Sequence, residues 1–214
     1  ALDFENRAAA KQLTIGVIGL GYVGLPLAQA FCRQGLRVIG YDVSSTKVDS
    51  LTKGISYIKH ISNDSVGSML ETGRFEATVD FDRLDEPDAL LICVPTPLDA
   101  HRGPDLSYVV SSTEAIAKRL RRGQIVILES TTYPGTSNEV MKPILESVSG
   151  LVSGRDFAIA YSPEREDPGN PQFETSSIPK VVGADTEAEK RMAVAIYEAI
   201  VPQVVPVSDL RTAE

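Results

Sequence analysis

Three glycines at fixed intervals, Gly19, Gly21 and Gly24, stand between an apolar run, Thr14-Ile15-Gly16-Val17-Ile18, and a periodic stretch that begins Leu25-Pro26-Leu27-Ala28. The run reads as a strand and the stretch as a helix, and Arg37-Val38-Ile39-Gly40-Tyr41 reads as a second strand that ends on Asp42. In a G-x-G-x-x-G spacing the first glycine permits a tight turn, the second lets an anion approach bare backbone, and the third lets helix pack closely on strand. The helix beginning there presents unpaired N–H groups and a partial charge of roughly +0.5, so a diphosphate needs no lysine. Asp42, about 20 residues past the turn, suits both hydroxyls of a ribose and repels the additional phosphate of NADP. The expected cofactor is therefore NAD, held by Gly19, Gly21, Tyr22, Val23, Gly24 and Asp42.

The remaining composition is consistent with that ligand and excludes others. With 214 residues and 43% hydrophobic content, the chain can bury a proper core as one domain. A formal net charge of −8 argues against a nucleic-acid partner, because binding by phosphate neutralisation needs a basic face. Cys32 and Cys93 lack the spacing of a disulfide framework, which predicts a reducing, cytoplasmic setting. No apolar run approaches transmembrane length, and Asp3, Glu5 and Arg7 interrupt any signal-peptide core, so no membrane association is expected. His60 and His101 have no companion at ligand spacing, and no metal site is expected. The run Arg119, Arg121 and Arg122 reads as a solvated helix end.

Apolar strand-like runs recur at Thr14–Gly19, Arg37–Tyr41, Ala89–Val94, Gln124–Ser130, Phe157–Tyr161, Lys180–Gly183 and Val204–Val207. Helical patterns lie between them near Leu25–Gln34, Ser45–Lys53, Ser65–Thr72, Tyr108–Lys118, Ser137–Ser147 and Thr186–Ala199. Alternation of this kind predicts an α/β fold: a Rossmann-type, doubly wound, mostly parallel sheet with helices on both faces. Ser208-Asp209 looks like a helix cap, yet only Leu210–Glu214 follow it, so residues 1–214 read as one NAD-binding domain cut from something longer.

Three segments that follow strands carry further information: Val94-Pro95-Thr96-Pro97, Glu129-Ser130-Thr131-Thr132-Tyr133-Pro134-Gly135-Thr136, and Tyr161-Ser162-Pro163-Glu164-Arg165. Together with the glycine turn they resemble the UDP-glucose/GDP-mannose dehydrogenase family, and within it most the branch acting on UDP-N-acetylglucosamine, with UDP-N-acetylmannosamine, UDP-glucose and UDP-N-acetylgalactosamine as the alternative sugars. The resemblance implies an enzyme that oxidises the C6 alcohol of a UDP-sugar to a carboxylate in two hydride transfers, with two NAD+ and one water. It implies Glu164 as general base or water-positioning group and Thr131 as a water-holding partner, both catalytic, with Glu164 and Arg165 facing the sugar nucleotide. Lys47, Pro95, Thr96, Ser130 and Thr131 are implied to contact the cofactor, and Glu129 to precede the site.

The family's catalytic lysine and nucleophilic cysteine fall beyond Glu214 by this resemblance, so the isolated chain is expected to bind NAD without turnover. Cys93 lies in an apolar run, where a thiol stays protonated, and is no substitute nucleophile. The resemblance also implies a homodimer at full length. Two other readings use fewer of the motifs. A β-hydroxyacid dehydrogenase shares the glycine turn but leaves Ser162-Pro163-Glu164-Arg165 unexplained. A non-catalytic NAD sensor leaves Thr131 and Glu164 without work.

Overall fold

The structure, a computed structural model, describes residues 1–98, 103–164 and 179–214. Six parallel strands form the main sheet: β1 (Thr14–Ile18), β2 (Arg37–Tyr41), β3 (Phe75–Thr78), β4 (Ala89–Ile92), β5 (Ile125–Leu128) and β6 (Ala158–Tyr161). Their spatial order is β3-β2-β1-β4-β5-β6, so the chain winds outward from β1 in both directions and the order reverses between β1 and β4. In such sheets the crevice at the reversal, beside the carboxyl ends of the strands, takes the ligand.

Burial explains why these strands read as continuous apolar runs. Along β4, Ala89 and Leu91 join one core, whereas Leu90 and Ile92 join the other; β5 divides in the same way, with Ile125 and Ile127 opposite Val126 and Leu128. Successive side chains point to opposite faces, so a strand covered on both sides has no polar position. The first face packs against α1 (Leu2–Ala9), α2 (Gly24–Arg33), α4 (Asn63–Glu71) and α7 (Glu187–Tyr197). The second packs against α5 (Ser107–Ala117) and α6 (Lys142–Ser149). Helix starts follow cap chemistry: Ser44 accepts from the Lys47 N–H to open α3 (Ser45–Thr52), and Thr186 with Glu189 forms a capping box on α7.

Several expectations need correction. The runs at Lys180–Gly183 and Val204–Val207 do not extend the main sheet. They form a separate two-stranded parallel sheet, β7 (Lys180–Val182) and β8 (Val204–Pro206), which meets β6 at the antiparallel bridge between Tyr161 and Gly183. Strand β3 and helix α1 were not anticipated. The expected helix at Ser137 opens as a π-type turn over Ser137–Met141 before α6. The arginines beyond α5 are not simply solvated. Arg119 pairs with Asp82 at 2.5 Å and Arg121 with Asp88 at 3.1 Å, while Arg122 pairs with Asp156.

Asp156, two residues ahead of β6, has its side chain only 1% exposed. It accepts from Arg155 at 2.7 Å and from the Val152 N–H at 3.0 Å, contacts that outweigh burial and lower its pKa from 3.8 to about 2. A carboxylate whose folded pKa is depressed adds stability above its ordinary range, and that stability is lost as pH falls toward the folded value. Asp156→Asn is therefore expected to lower the melting temperature at neutral pH and to flatten its decline between pH 3.8 and about 2. Scanning calorimetry of both proteins across that window checks this, and parallel curves would contradict it.

Candidate cofactor site

The turn after β1 is shaped by two close approaches. Gly19 has φ +90°, and a Cβ there would lie 2.6 Å from the Cys93 carbonyl oxygen. A Cβ on Gly24 would collide with the Gly19 carbonyl oxygen and stand 3.1 Å from a Val17 methyl, so α2 is seated directly on β1. Gly21 differs: nothing lies within 4 Å of where its Cβ would be. The space kept clear there is what a bound diphosphate requires. Val23 has no side-chain cap to offer α2; the Leu25 N–H is taken by the Gly21 carbonyl at 3.1 Å and Pro26 has no N–H, so the amides left for an anion are those of the turn, up to Gly24.

Asp42 ties this turn to β2. Its Oδ2 accepts from the Leu20 N–H at 2.9 Å and from Lys47 Nζ at 3.1 Å, while Oδ1 accepts from the Ser44 N–H at 2.9 Å. The residue is 4% exposed. Tyr57, which sequence reasoning missed, donates from its hydroxyl to the Leu20 carbonyl at 2.6 Å, and Lys47 Nζ lies 5.9 Å from its ring centroid. No periodicity or spacing marks Tyr57, since a loop places it.

A cavity of about 710 Å³ runs along these groups. Gly19, Gly21, Tyr22, Val23, Asp42, Lys47 and Pro95 all line it, as do Tyr57, Cys93 and the α5 residues Tyr108 and Ser112. It is large enough for a dinucleotide, lies at the strand-order reversal, and is lined by both the buried carboxylate of Asp42 and the glycine turn. Thr96 follows Pro95, half-buried. Thr131 is exposed just past β5. Ser130 instead crosslinks two strand ends: its hydroxyl donates to the Val94 carbonyl at 2.7 Å and accepts from the Val94 N–H at 3.0 Å. Arg165 lies outside the described residues.

Beyond Cys93 the site becomes ionic. Glu129, which the sequence sets ahead of the site, is fully buried and accepts from Lys180 Nζ at 2.7 Å and from the Tyr197 hydroxyl. Glu164 Oε2 stands 3.6 Å from the same Nζ. Burial, reinforced by Glu129 and Glu164, pushes the Cys93 thiol well above its ordinary pKa, so it stays protonated. Among the described residues no group of three His, Cys, Asp or Glu is placed to hold a metal ion, and no helix is long and apolar enough to cross a membrane.

A doubly wound sheet, a glycine turn that bares its amides and a buried acid on the next strand define a dinucleotide-binding domain of Rossmann type. The family model described as "UDP-glucose/GDP-mannose dehydrogenase family, NAD binding domain" matches residues 13–201. The chain belongs to that family as its NAD-binding domain, and NAD is the cofactor. It is 37% identical over 191 residues to a UDP-N-acetyl-D-glucosamine 6-dehydrogenase of Pseudomonas aeruginosa, covering 89% of this chain and 44% of that protein. It is 34% identical over 203 residues to a UDP-N-acetyl-D-mannosamine dehydrogenase of Pyrococcus horikoshii, covering 94% and 48%. The crystal structure of an NDP-N-acetyl-D-galactosaminuronic acid dehydrogenase from Methanosarcina mazei Go1 superimposes with a TM-score of 0.88 at 32% identity, covering 98% of this chain and 47% of that one. The chain thus spans a little under half the length of the curated relatives it matches.

Two substitutions test the cradle. Gly24→Ala is expected to lift α2 from β1 and abolish detectable NAD binding in calorimetry, because helix and turn move together. Asp42→Ala is expected to weaken NAD by about 1.5–3 kcal/mol, the worth of charge-assisted bonds to the ribose. Wild-type affinity in either variant would contradict the assignment.

Proposed function

We propose that the protein carrying this chain is a nucleotide-sugar 6-dehydrogenase that oxidises the C6 alcohol of a UDP-sugar to the uronate with two NAD+, and that its sugar is UDP-N-acetylglucosamine. The observation that carries this reading is Glu164, a carboxylate past the carboxyl end of β6 whose side chain keeps 12% exposure and whose charge acts on Cys93, a residue lining the cofactor cavity. Bound NAD supplies the hydride acceptor. Oxidation of an alcohol also needs a group that takes the hydroxyl proton, and Glu164 is the carboxylate set to do so or to hold the water that ends the sequence. Thr131, exposed at the end of β5, is proposed to share that water. Pro95 and Thr96 are proposed to border the cofactor, Lys47 its adenosine ribose, and Arg165 the sugar nucleotide. Ser130 supports the cofactor wall by fixing the strand end that presents Val94 and Pro95.

The choice of sugar rests on the motif resemblance, since glucosamine enzymes at 37% and 33% identity and a mannosamine enzyme at 36% stand equally near this chain. A thiol able to carry the aldehyde between the two hydride transfers is proposed to lie outside residues 1–214, since buried Cys93 is unsuited to it. We further propose a cytoplasmic protein that is a homodimer at full length.

The test is NADH formation by the full-length protein with a panel of UDP-sugars. UDP-N-acetylglucosamine is expected to give the highest kcat/KM and two NADH per sugar, and the isolated chain is expected to give none. NADH from a different sugar would replace the substrate, turnover by the isolated chain would contradict the absent-nucleophile argument, and inactivity of the full-length protein on every sugar would end the reading.

A further inference from the structure

The feature least explained by cofactor binding is a cationic side chain removed from water. Lys180 opens β7 and is 4% exposed. Its Nζ lies 2.7 Å from Glu129 Oε2 and 3.6 Å from Glu164 Oε2, donates at 3.4 Å to the Pro163 carbonyl, and sits 5.3 Å from the centroid of the Tyr197 ring. The Tyr197 hydroxyl donates to the other oxygen of Glu129. Four separate parts of the fold therefore meet at one ammonium: the ends of β5 and β6, the start of β7, and the end of α7.

A buried ion pair is a poor way to stabilise a core. The cost of stripping water from both ions commonly equals or exceeds their attraction, and apolar residues of similar volume fill such sites at least as well. Lys180 is not explained by packing alone. Its two carboxylates are also unlike. Glu129 is fully buried and engaged by both Lys180 and Tyr197, whereas the Glu164 side chain retains 12% exposure and reaches the neighbourhood of Cys93, which lines the cofactor cavity.

We propose that Lys180 is a positioning residue: anchored by Glu129 and Tyr197, its ammonium holds the carboxylate of Glu164 at the end of the crevice where hydroxyl and cofactor must meet. This rests on the reading of Glu164 as base or water-holding group. The unequal distances suit the task. The 2.7 Å contact to Glu129 fixes the ammonium, and the longer 3.6 Å contact to Glu164 restrains that carboxylate without a short, committed hydrogen bond from Lys180. Lys180 and Glu129 together are neutral, so a proton accepted by Glu164 leaves the whole group uncharged, which is the favourable direction away from water. Burial opposes the charge on Lys180, yet Glu129 and Glu164 outweigh it and keep the ammonium protonated; burial likewise keeps Tyr197 and Cys93 in their neutral forms.

Removing Lys180 alone would strand Glu129 as a buried, unpaired charge, so the informative variant replaces both: Lys180→Met with Glu129→Gln, alongside Lys180→Arg. In the full-length protein the double variant is expected to bind NAD as the wild type does and to keep its KM for the sugar nucleotide, while kcat falls about tenfold or more. Lys180→Arg, which keeps the charge, is expected to recover part of that loss. A second readout needs no turnover. The Glu164 carboxyl 13C resonance of the 214-residue chain, assigned with Glu164→Gln, is expected to move in the double variant and to move less in Lys180→Arg. An unchanged kcat, or an unmoved resonance whatever kcat does, overturns the inference. Should the wild type oxidise no sugar nucleotide, the functional reading fails, and the resonance alone then decides whether Lys180 holds Glu164.

Discussion

Everything at this site depends on how closely α2 is allowed to approach β1. The helix begins where Gly24 meets the Gly19 carbonyl, a contact that no side chain tolerates, and that contact seats the glycine turn and the start of α2 against the carboxyl end of β1. Gly19, at φ +90°, turns the chain sharply enough for this, and its own N–H donates to the Tyr41 carbonyl at 2.8 Å, so the turn is fastened to β2. The Asp42 carboxylate adds a second fastening through the Leu20 N–H. The acid that suits a ribose therefore also braces the turn that suits a diphosphate, and recognition of the two parts of the cofactor is mechanically linked.

A chain with a net charge of −8 is ill matched to an anion in overall charge, so the source of attraction has to be local. The attraction is local and built from main-chain dipoles, which act within the first turn of a helix. Overall charge matters little at that range. The same economy of charge holds at the far end of the crevice, where one ammonium lies between two carboxylates and the thiol and phenol nearby stay neutral. On the proposed reading, dipoles hold the cofactor and a small ionic group stands where a proton moves.

The part of the fold from β1 to Asp42 was legible because three signals agree there: strand period, glycine spacing and helix period. The central strands were legible because both faces are covered, so their residues are apolar without interruption. Strand β3 was not, since it is four residues long, lies at the sheet edge and buries only Phe75. Strands β7 and β8 carry the same apolar signal as the others, and nothing in three residues says which sheet they join. The site divides in the same way. Gly19 to Asp42 form a local pattern. Lys180 and Glu129 are 51 residues apart, and Tyr197 and Glu129 are 68 apart, so only the folded chain reveals that they touch. The arginines beyond α5 illustrate the limit again, since their partners Asp82, Asp88 and Asp156 lie 37, 33 and 34 residues away.

The measurement that bears most directly on this account is calorimetric titration of the 214-residue chain with NAD+ and, separately, with NADP+. Bare amides of the glycine turn ahead of α2, with the carboxylate of Asp42 beyond them, predict saturable binding of NAD+ and at least about tenfold weaker binding of NADP+, whose extra phosphate would face that carboxylate. Equal affinity for the two, or no heat with NAD+, would contradict it.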